Sequence, residues 1–315
     1  MLEKVKDDHP IVPKVLEYRN LTKLASTYIE GMKPLIAEDG RIHCHFQQTV
    51  TQTGRISCTE PNLQNIPVRQ ELGRKIRKAF HAADGKILVG ADYSQIELRV
   101  LAHLSGDEAL IEAFNNNEDI HRMTAARVLG IPLEEVKPID RSRAKAVNFG
   151  VIYGMSSFGL SEEINVTRKE AEAYIKEYFN KHPGVKAYMD AQIALVKEKG
   201  CSETILGRKR RINEISASNF MVRQLGERLA MNTPIQGSAA DIIKIAMNKV
   251  YRELKEKHPD SKLVLQVHDE LIIEADMKEL DDIRELLVRN MQEAMEMKVK
   301  LLVDLNTAEN WYDLK

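Results

Sequence analysis

The amino-acid sequence predicts an α+β fold, with antiparallel strands separated along the chain by a long, mostly helical insertion. Three observations carry this. Leu263–Ala275 is a pair of apolar, β-branched runs around a polar centre, the pattern of two strands and the tip between them. Ile87–Ala91 is a buried-type apolar run that ends at Asp92, after which the pattern turns helical. Between these stretches, residues 97–200 are mostly helical in pattern, and strands flanking such an insert indicate a separate lobe.

In chain order, residues 1–36 read as helix, with a stripe at Leu16, Leu21, Leu24, Tyr28 and Ile29. Asp39–Gly40 signals a turn before a strand expected over 41–50. The loop Pro61–Pro67 follows, where Asn62, Gln64 and Asn65 fit ordinary loop chemistry. Ser94 and Glu97 fit the S-x-x-E capping box, which would start the helix after Asp92. Breaks in the helical insert fall at 115–117, 130–132, Pro138, 182–184 and Gly200. Asp140 and Gly154 would cap one helix within it. Residues 201–211 read as a short hairpin, and 216–257 as helix interrupted near Thr233–Pro234. After the hairpin at 263–275, residues 277–297 read as helix and 301–305 as a last strand.

Composition is that of an ordinary soluble protein: 43% hydrophobic and 30% charged over 315 residues, enough chain for a substantial core or for subdomains. No apolar run approaches the roughly 20 residues of a membrane span. The charged start, MLEKVKDDHP, shows no signal-peptide pattern. Cys44, Cys58 and Cys201 have neither zinc nor redox spacing, which suits a reducing cytoplasm. The net charge of −1 does not advertise a nucleic-acid binder. Charge is uneven, however. Arg74–Lys75, Arg77–Lys78 and Arg208–Arg211 are basic clusters, readable as solvated faces or as phosphate contacts.

The chemistry gathers at carboxylates. His268–Asp269–Glu270 occupies the tip between two strands, where a tight hairpin normally has Gly or Asn. A solvated turn is the plain reading. Asp92 at a second strand end gives the alternative, in which the two aspartates share hard divalent cations. Mg²⁺ takes one or two carboxylates and completes its shell with water and substrate phosphates, as two-metal phosphoryl chemistry requires. In the helical insert, Arg141, Lys145, Phe149 and Tyr153 recur every four residues and share a slowly drifting stripe. Two cations at a helix N-terminus make a triphosphate cradle, with aromatic residues one and two turns on to meet sugar and base. The plain alternative is a helix with one charged end and one buried aromatic end.

Three of these segments together resemble the signature of family A DNA polymerases. Asp92-Tyr-Ser-Gln-Ile-Glu-Leu-Arg99 is similar to motif A, Arg141–Gly154 to motif B and Gln266-Val-His-Asp-Glu-Leu271 to motif C, in the family's order and spacing. The resemblance implies a right-hand polymerase fold: an antiparallel-sheet palm, a mostly helical fingers insertion and a helical thumb remnant. It divides the chain into thumb remnant 1–40, palm 41–104, fingers 105–235 and palm 236–315. It implies template-directed nucleotidyl transfer from deoxynucleoside triphosphates to a primer 3′-hydroxyl, by a monomer in the bacterial cytoplasm, associated with the nucleoid. Two Mg²⁺ ions, replaceable by Mn²⁺, would be held by Asp92, Asp269 and the Tyr93 carbonyl, with Glu270 as an auxiliary.

For the nucleotide, the resemblance implies Gln95, Glu97, His121, Arg141, Lys145, Phe149 and Tyr153. Lys145 would also protonate the leaving pyrophosphate, and Glu97 with Tyr153 would exclude a ribose 2′-hydroxyl. On its own, His121 reads as a surface histidine. For primer–template DNA it implies Arg55, Asn62, Gln64, Asn65, Arg228, Asn232, Gln236 and His268, although Asn232–Pro234 also fits plain turn chemistry. Minor-groove acceptors are common to all correct pairs, which suits an enzyme that must accept every one. With only the end of a thumb in these residues, weaker duplex grip and shallower salt dependence are expected. A two-metal nuclease would also use paired carboxylates but gives the Arg141–Tyr153 stripe no role. A non-catalytic DNA-binding fragment is the reading from another class.

Overall fold

The structure, a computed structural model, describes residues 2–68 and 70–314. After a 3-10 turn at Leu2–Val5 come α1 (Ile11–Lys23), the short pair β1 (His45–Gln47) and β2 (Ser57–Thr59), α2 (Glu71–Lys75) and β3 (Lys86–Tyr93). The helical insertion comprises α3 (Ile96–Ser105), α4 (Glu108–Asn115), α5 (Ile120–Leu129), α6 (Pro138–Ile152), α7 (Ser157–Ile164), α8 (Arg168–Lys181) and α9 (Pro183–Lys199). After the hairpin β4 (Cys201–Glu203) and β5 (Lys209–Arg211) come α10 (Phe220–Lys257), β6 (Lys262–Val267), β7 (Glu270–Asp276), α11 (Leu280–Gln292) and β8 (Val303–Ala308). The expected α+β architecture is present.

β6, β7, β3 and β8 lie side by side in that order, and every pairing is antiparallel. Side chains alternate between faces along a strand, so β3 divides its residues between two cores. Val89, Ala91 and Tyr93 join Leu271, Ile273 and Ala275 in the large core that includes α3, α10 and α11. Leu88, with Ile272 of β7, faces a second core made with Leu24, Tyr28, Met32, Trp311 and Leu314. The sheet is therefore covered on both faces, which explains why these strands read as near-continuous apolar runs.

Several local expectations are corrected. The strand expected over 41–50 is only His45–Gln47, paired with Ser57–Thr59. Of the stripe expected in 1–36, Leu24 and Tyr28 are buried, but Leu21 and Ile29 are exposed. The break near Thr233–Pro234 is absent, because α10 runs through Pro234 for 38 residues. An interior proline costs about 3 kcal/mol. Burial of Thr233, Pro234, Ile235 and Gly237–Ile243 offsets it through packing. The insert's other breaks fall as expected, with Pro138 as the first residue of α6.

Candidate active site

Asp92 and Asp269 meet because two strand ends meet. Asp92 is opposite Glu270 of β7 and Asp304 of β8, and one residue on the Tyr93 N–H donates to the Asp269 carbonyl at 3.1 Å. The turn between β6 and β7 is His268–Asp269 alone, with His268 at φ 52°. Glu270, expected at the tip, is instead the first residue of β7 and is buried. Tyr93 sends its ring into the large core, where its hydroxyl donates to the Met291 carbonyl at 2.6 Å. Burial and the neighbouring Asp269 charge both push its phenol pKa up. Only its backbone is left to serve the site.

The donor set fits a hard divalent cation. Asp92 is partly exposed, Asp269 is beside it, and both offer oxygen. Among the described residues no group of three or more His, Cys, Asp or Glu side chains is gathered for a metal. Two carboxylates and a carbonyl leave coordination positions to water and phosphate, the arrangement Mg²⁺ tolerates.

Glu97 does not form a capping box. Gln95 adopts left-handed φ 54°, so α3 begins at Ile96 and the Ser94 side chain caps nothing. The buried Glu97 carboxylate instead accepts from Arg55 Nη2 at 2.5 Å and from the Tyr153 hydroxyl at 2.9 Å. Burial, then the Glu97 charge, pushes the Tyr153 phenol up to about 12, and Gln236 also hydrogen-bonds it. Arg55, Glu97, Tyr153 and Gln236 thus form one cluster drawn from four separate segments.

α6 starts earlier than expected. Pro138 is its first residue, and Asp140 accepts from the Lys137 N–H at 3.2 Å rather than capping the helix itself. Gly154 follows the last turn at φ 59°, with Arg228 and Met231 packed where a Cβ would stand. Arg141 is held at 2.6 Å by Asp119, which also caps α5 through the N–H groups of His121 and Arg122. His121 is therefore fixed beside the cationic end of α6, and it is buried rather than a surface residue. Its Nδ1 is 2.9 Å from Asn148 Nδ2, whose amide oxygen accepts from Thr124, so Asn148 donates and the imidazole is neutral. Its ring lies 5.9 Å from that of Phe149. Lys145, Phe149 and Tyr153 line an open groove of about 600 Å³ along α6.

Burial, with Arg141 and Lys145 nearby, lowers the His121 pKa from 6.5 to about 4 despite Asp119. Below pH 6.5 the unfolded chain takes up a proton that the folded chain refuses until about pH 4. Stability from this group is present above pH 6.5 and is lost as pH falls through that window. Urea unfolding followed from pH 7 to pH 4 checks this. His121→Gln is expected to lack that component of the loss, and an identical pH slope in parent and variant contradicts the assignment.

Arg55, Asn62, Gln64, Asn65 and His268 line a smaller cavity of about 210 Å³ that reaches Asp269. Gln64 Nε2 donates to the Gln266 carbonyl and side-chain oxygen at 3.1 Å, tying the 61–67 loop to β6. Gln266 in turn donates to the His268 carbonyl. Arg228, Asn232 and Gln236 recur every four residues on α10 and lead toward Tyr153–Gly154. Asn232 Oδ1 is buried without a hydrogen-bond partner.

Sequence reasoning missed Asp119, Asn148, Gln266 and Asp304 as members of these constellations. Gln266 and Asn148 stood inside quoted motifs, but periodicity gives no sign of which side chains meet. The basic clusters also divide differently from a phosphate-contact reading. Arg208 is bound to the buried Asp241 at 2.7 Å, and Arg210 bonds Thr233 and Gln52. Arg77 is buried, while Arg74 and Lys78 lie over the Tyr312 ring.

The model for the family described as DNA polymerase family A matches residues 1–313. The chain belongs to DNA polymerase family A. DNA polymerase I of Lactococcus lactis subsp. cremoris is 52% identical over 316 residues, and that of Bacillus subtilis 51% identical over 317. Each comparison takes in all of this chain but 36% of the relative, so the chain spans about a third of their length. The POL domain of Pol1 from M. smegmatis, solved in complex with DNA primer-template and dNTP, matches with a TM-score of 0.94 and 42% identity. That match covers 99% of this chain and 56% of the other. The expected right-hand polymerase fold is thereby the fold of this family A chain. Among the described residues no helix is long and apolar enough to cross a membrane.

Proposed function

We propose that this chain catalyses template-directed DNA synthesis, joining a deoxynucleoside triphosphate to a primer 3′-hydroxyl. The observation that carries the reading is the hydrogen-bonded meeting of the Asp92 and Asp269 strand ends beside both the Arg55–His268 cavity and the Glu97–Tyr153 cluster. In the reaction the 3′-hydroxyl gives up its proton to water, its oxygen bonds to the α-phosphorus, the bond from that phosphorus to the bridging oxygen breaks, and pyrophosphate leaves. Asp92, Asp269 and the Tyr93 carbonyl would hold two Mg²⁺ ions, for which Mn²⁺ can substitute. Bound there, the metal supplies charge neutralisation for the attacking and leaving oxygens. Phosphoryl transfer asks the protein chiefly for positioning and charge stabilisation.

Arg141, Lys145 and the neutral His121 bind the triphosphate, with Gln95 beside the strand end, and Lys145 delivers a proton to the departing pyrophosphate. Phe149 packs on the nucleotide, and Tyr153 stands where the templating base arrives. Arg55, Asn62, Gln64, Asn65 and His268 position the primer–template duplex, and Arg228, Asn232 and Gln236 the template or the terminal base pair. In this reading residues 1–40 are thumb, 41–104 and 236–315 palm, and 105–235 fingers, and the chain acts as a monomer.

Extension of a 5′-labelled primer on a longer template, with Mg²⁺ and all four deoxynucleotides, tests the proposal. Lengthening is expected. Shortening favours the nuclease, and retention of DNA with an unchanged primer favours a non-catalytic binder. Both would overturn it.

The Glu97 cluster adds a specificity prediction. Removing the Glu97 carboxylate opens the space that a 2′-hydroxyl would need, so Glu97→Ala is expected to raise ribonucleotide use relative to deoxyribonucleotide. It also strips Arg55 and Tyr153 of their buried acceptor, with an expected stability loss of about 1–3 kcal/mol. An unchanged ribose preference, measured with DNA synthesis intact, leaves Glu97 a structural role alone.

A further inference from the structure

The hairpin β4–β5 bonds to α10 on one side and to the segment 51–55 on the other. Its anchor on α10 is Asp241, a carboxylate only 2% exposed. Thr204, at the start of the hairpin's turn, donates to Asp241 Oδ2 at 2.6 Å. Arg208, at the end of that turn, donates to Asp241 Oδ1 from Nε at 3.0 Å and from Nη2 at 2.7 Å. Both oxygens of the buried carboxylate are thus engaged, and two charge-assisted bonds fix the direction of the guanidinium. Ser238, three residues before Asp241, accepts from the Ile205 N–H at 3.0 Å.

On the other side Arg208 packs against Gly54. A Cβ placed on Gly54 would lie 2.6 Å from Arg208 Nε and 2.8 Å from its Cζ, so the guanidinium stands in space that any other side chain would need. Gly54 has φ 82°, which glycine adopts without steric cost. Arg210 adds a second link, from Nη2 to Gln52 Oε1 at 2.6 Å. The residue after Gly54 is Arg55, whose Nη2 donates to the buried Glu97 at 2.5 Å. A continuous series of contacts therefore runs from α10 through Asp241, Arg208 and Gly54 to Arg55 and the Glu97–Tyr153 pair.

We infer that Arg208 is a positioning residue for Arg55. Anchored by Asp241, it holds the 51–55 segment at the distance from α10 at which Arg55 reaches Glu97. A rigid planar guanidinium suits this task better than a flexible ammonium, because it can be pinned by its nitrogens and still present a flat surface to the glycine. The inference deepens the proposed function and rests on it, since Arg55 serves there as the partner of Glu97 and as a wall of the DNA cavity.

The test uses the 315-residue chain and measures kcat and KM for single incorporation of a deoxynucleotide and of its ribonucleotide counterpart, with folding followed by circular dichroism. Arg208→Met is expected to slow deoxynucleotide incorporation by about 10- to 100-fold, the scale of a group displaced by about an ångström. It is also expected to lower the preference for the deoxynucleotide, as Glu97→Ala does. Arg208→Met leaves the buried Asp241 charge unpaired, so Arg208→Met/Asp241→Asn, which removes both charges, is measured beside it and carries the test where the single variant does not fold. Arg208→Lys keeps a charge facing Asp241 and recovers part of the rate. Arg55→Ala supplies the deciding background. Added to it, either Arg208→Met or the charge-free pair changes rate and preference by less than about twofold, because the effect travels through a side chain already removed.

The inference is overturned if a folded Arg208→Met, or the charge-free pair, keeps the parent's rate and ribose preference. An equal loss with and without Arg55 marks general damage or an independent contact, and overturns it as well. So does a parental rate in Arg55→Ala, which leaves Arg208 nothing to position. A parent chain that does not extend the primer marks failure of the functional reading itself, whereas an extending parent with an unaffected Arg208 variant marks failure of this inference alone.

Discussion

Asp92→Asn and Asp269→Asn are each expected to abolish nucleotide addition while the protein stays folded. Both changes remove a negative charge and keep the side-chain volume. Neither residue supports the apolar cores: Asp92 is partly exposed, and Asp269 contributes its backbone carbonyl to the Tyr93 bond, which the substitution leaves in place. Loss of one preorganised electrostatic group commonly lowers a rate by about 100- to 1000-fold. Removing half of a two-carboxylate cation site belongs at the upper end or beyond. Single-turnover incorporation with Mg²⁺ measures the loss, and melting by circular dichroism checks the fold. Near-parental turnover by either folded variant contradicts the metal assignment.

The second large effect is expected at Lys145. It lies one turn after Arg141, on the exposed face of α6, and close enough to His121 for its charge to help lower that pKa. Arg141 already has Asp119 as a partner at 2.6 Å, so Lys145 is the better placed of the two to give a proton to the leaving group. General-acid transfer typically contributes about 100- to 10,000-fold. Lys145→Ala is therefore expected to slow the chemical step by at least about 100-fold and to raise the dNTP KM. Lys145→Arg keeps the charge but holds its proton too tightly to release it. It should restore nucleotide binding more than rate. Equal recovery of both by Lys145→Arg would leave Lys145 a binding role and assign the proton elsewhere.

Much of the fold was legible because it is written in local pattern. The β3 run ending at Asp92, the 263–275 hairpin and the helical insertion follow from periodicity and from Gly and Pro positions. Errors arose where tertiary contacts overrule local preference. Ser94 and Glu97 have capping-box spacing, but the left-handed turn at Gln95 and the pull of Arg55 and Tyr153 redirect Glu97. Pro234 signals a break, but the buried middle of α10 holds the helix together.

The candidate site was legible in a different way. Three motifs named most of its residues, but not which side chains meet. The bond between Gln64 and Gln266 spans 202 residues, and Glu97 joins Arg55 across 42 and Tyr153 across 56. No spacing rule reaches that far. Arg77 shows the same limit from the other side. As part of a basic cluster it suggests a phosphate contact, and only burial against Trp311 shows that its charge faces inward.

The most direct test of the central claim is single-turnover addition of each deoxynucleotide opposite each of the four template bases, with Mg²⁺, for the parent chain and for Asp92→Asn. The account predicts that the complementary nucleotide is added fastest at every template base and that addition is lost in the variant. It is contradicted if the added nucleotide does not follow the template base, or if Asp92→Asn extends the primer as the parent does.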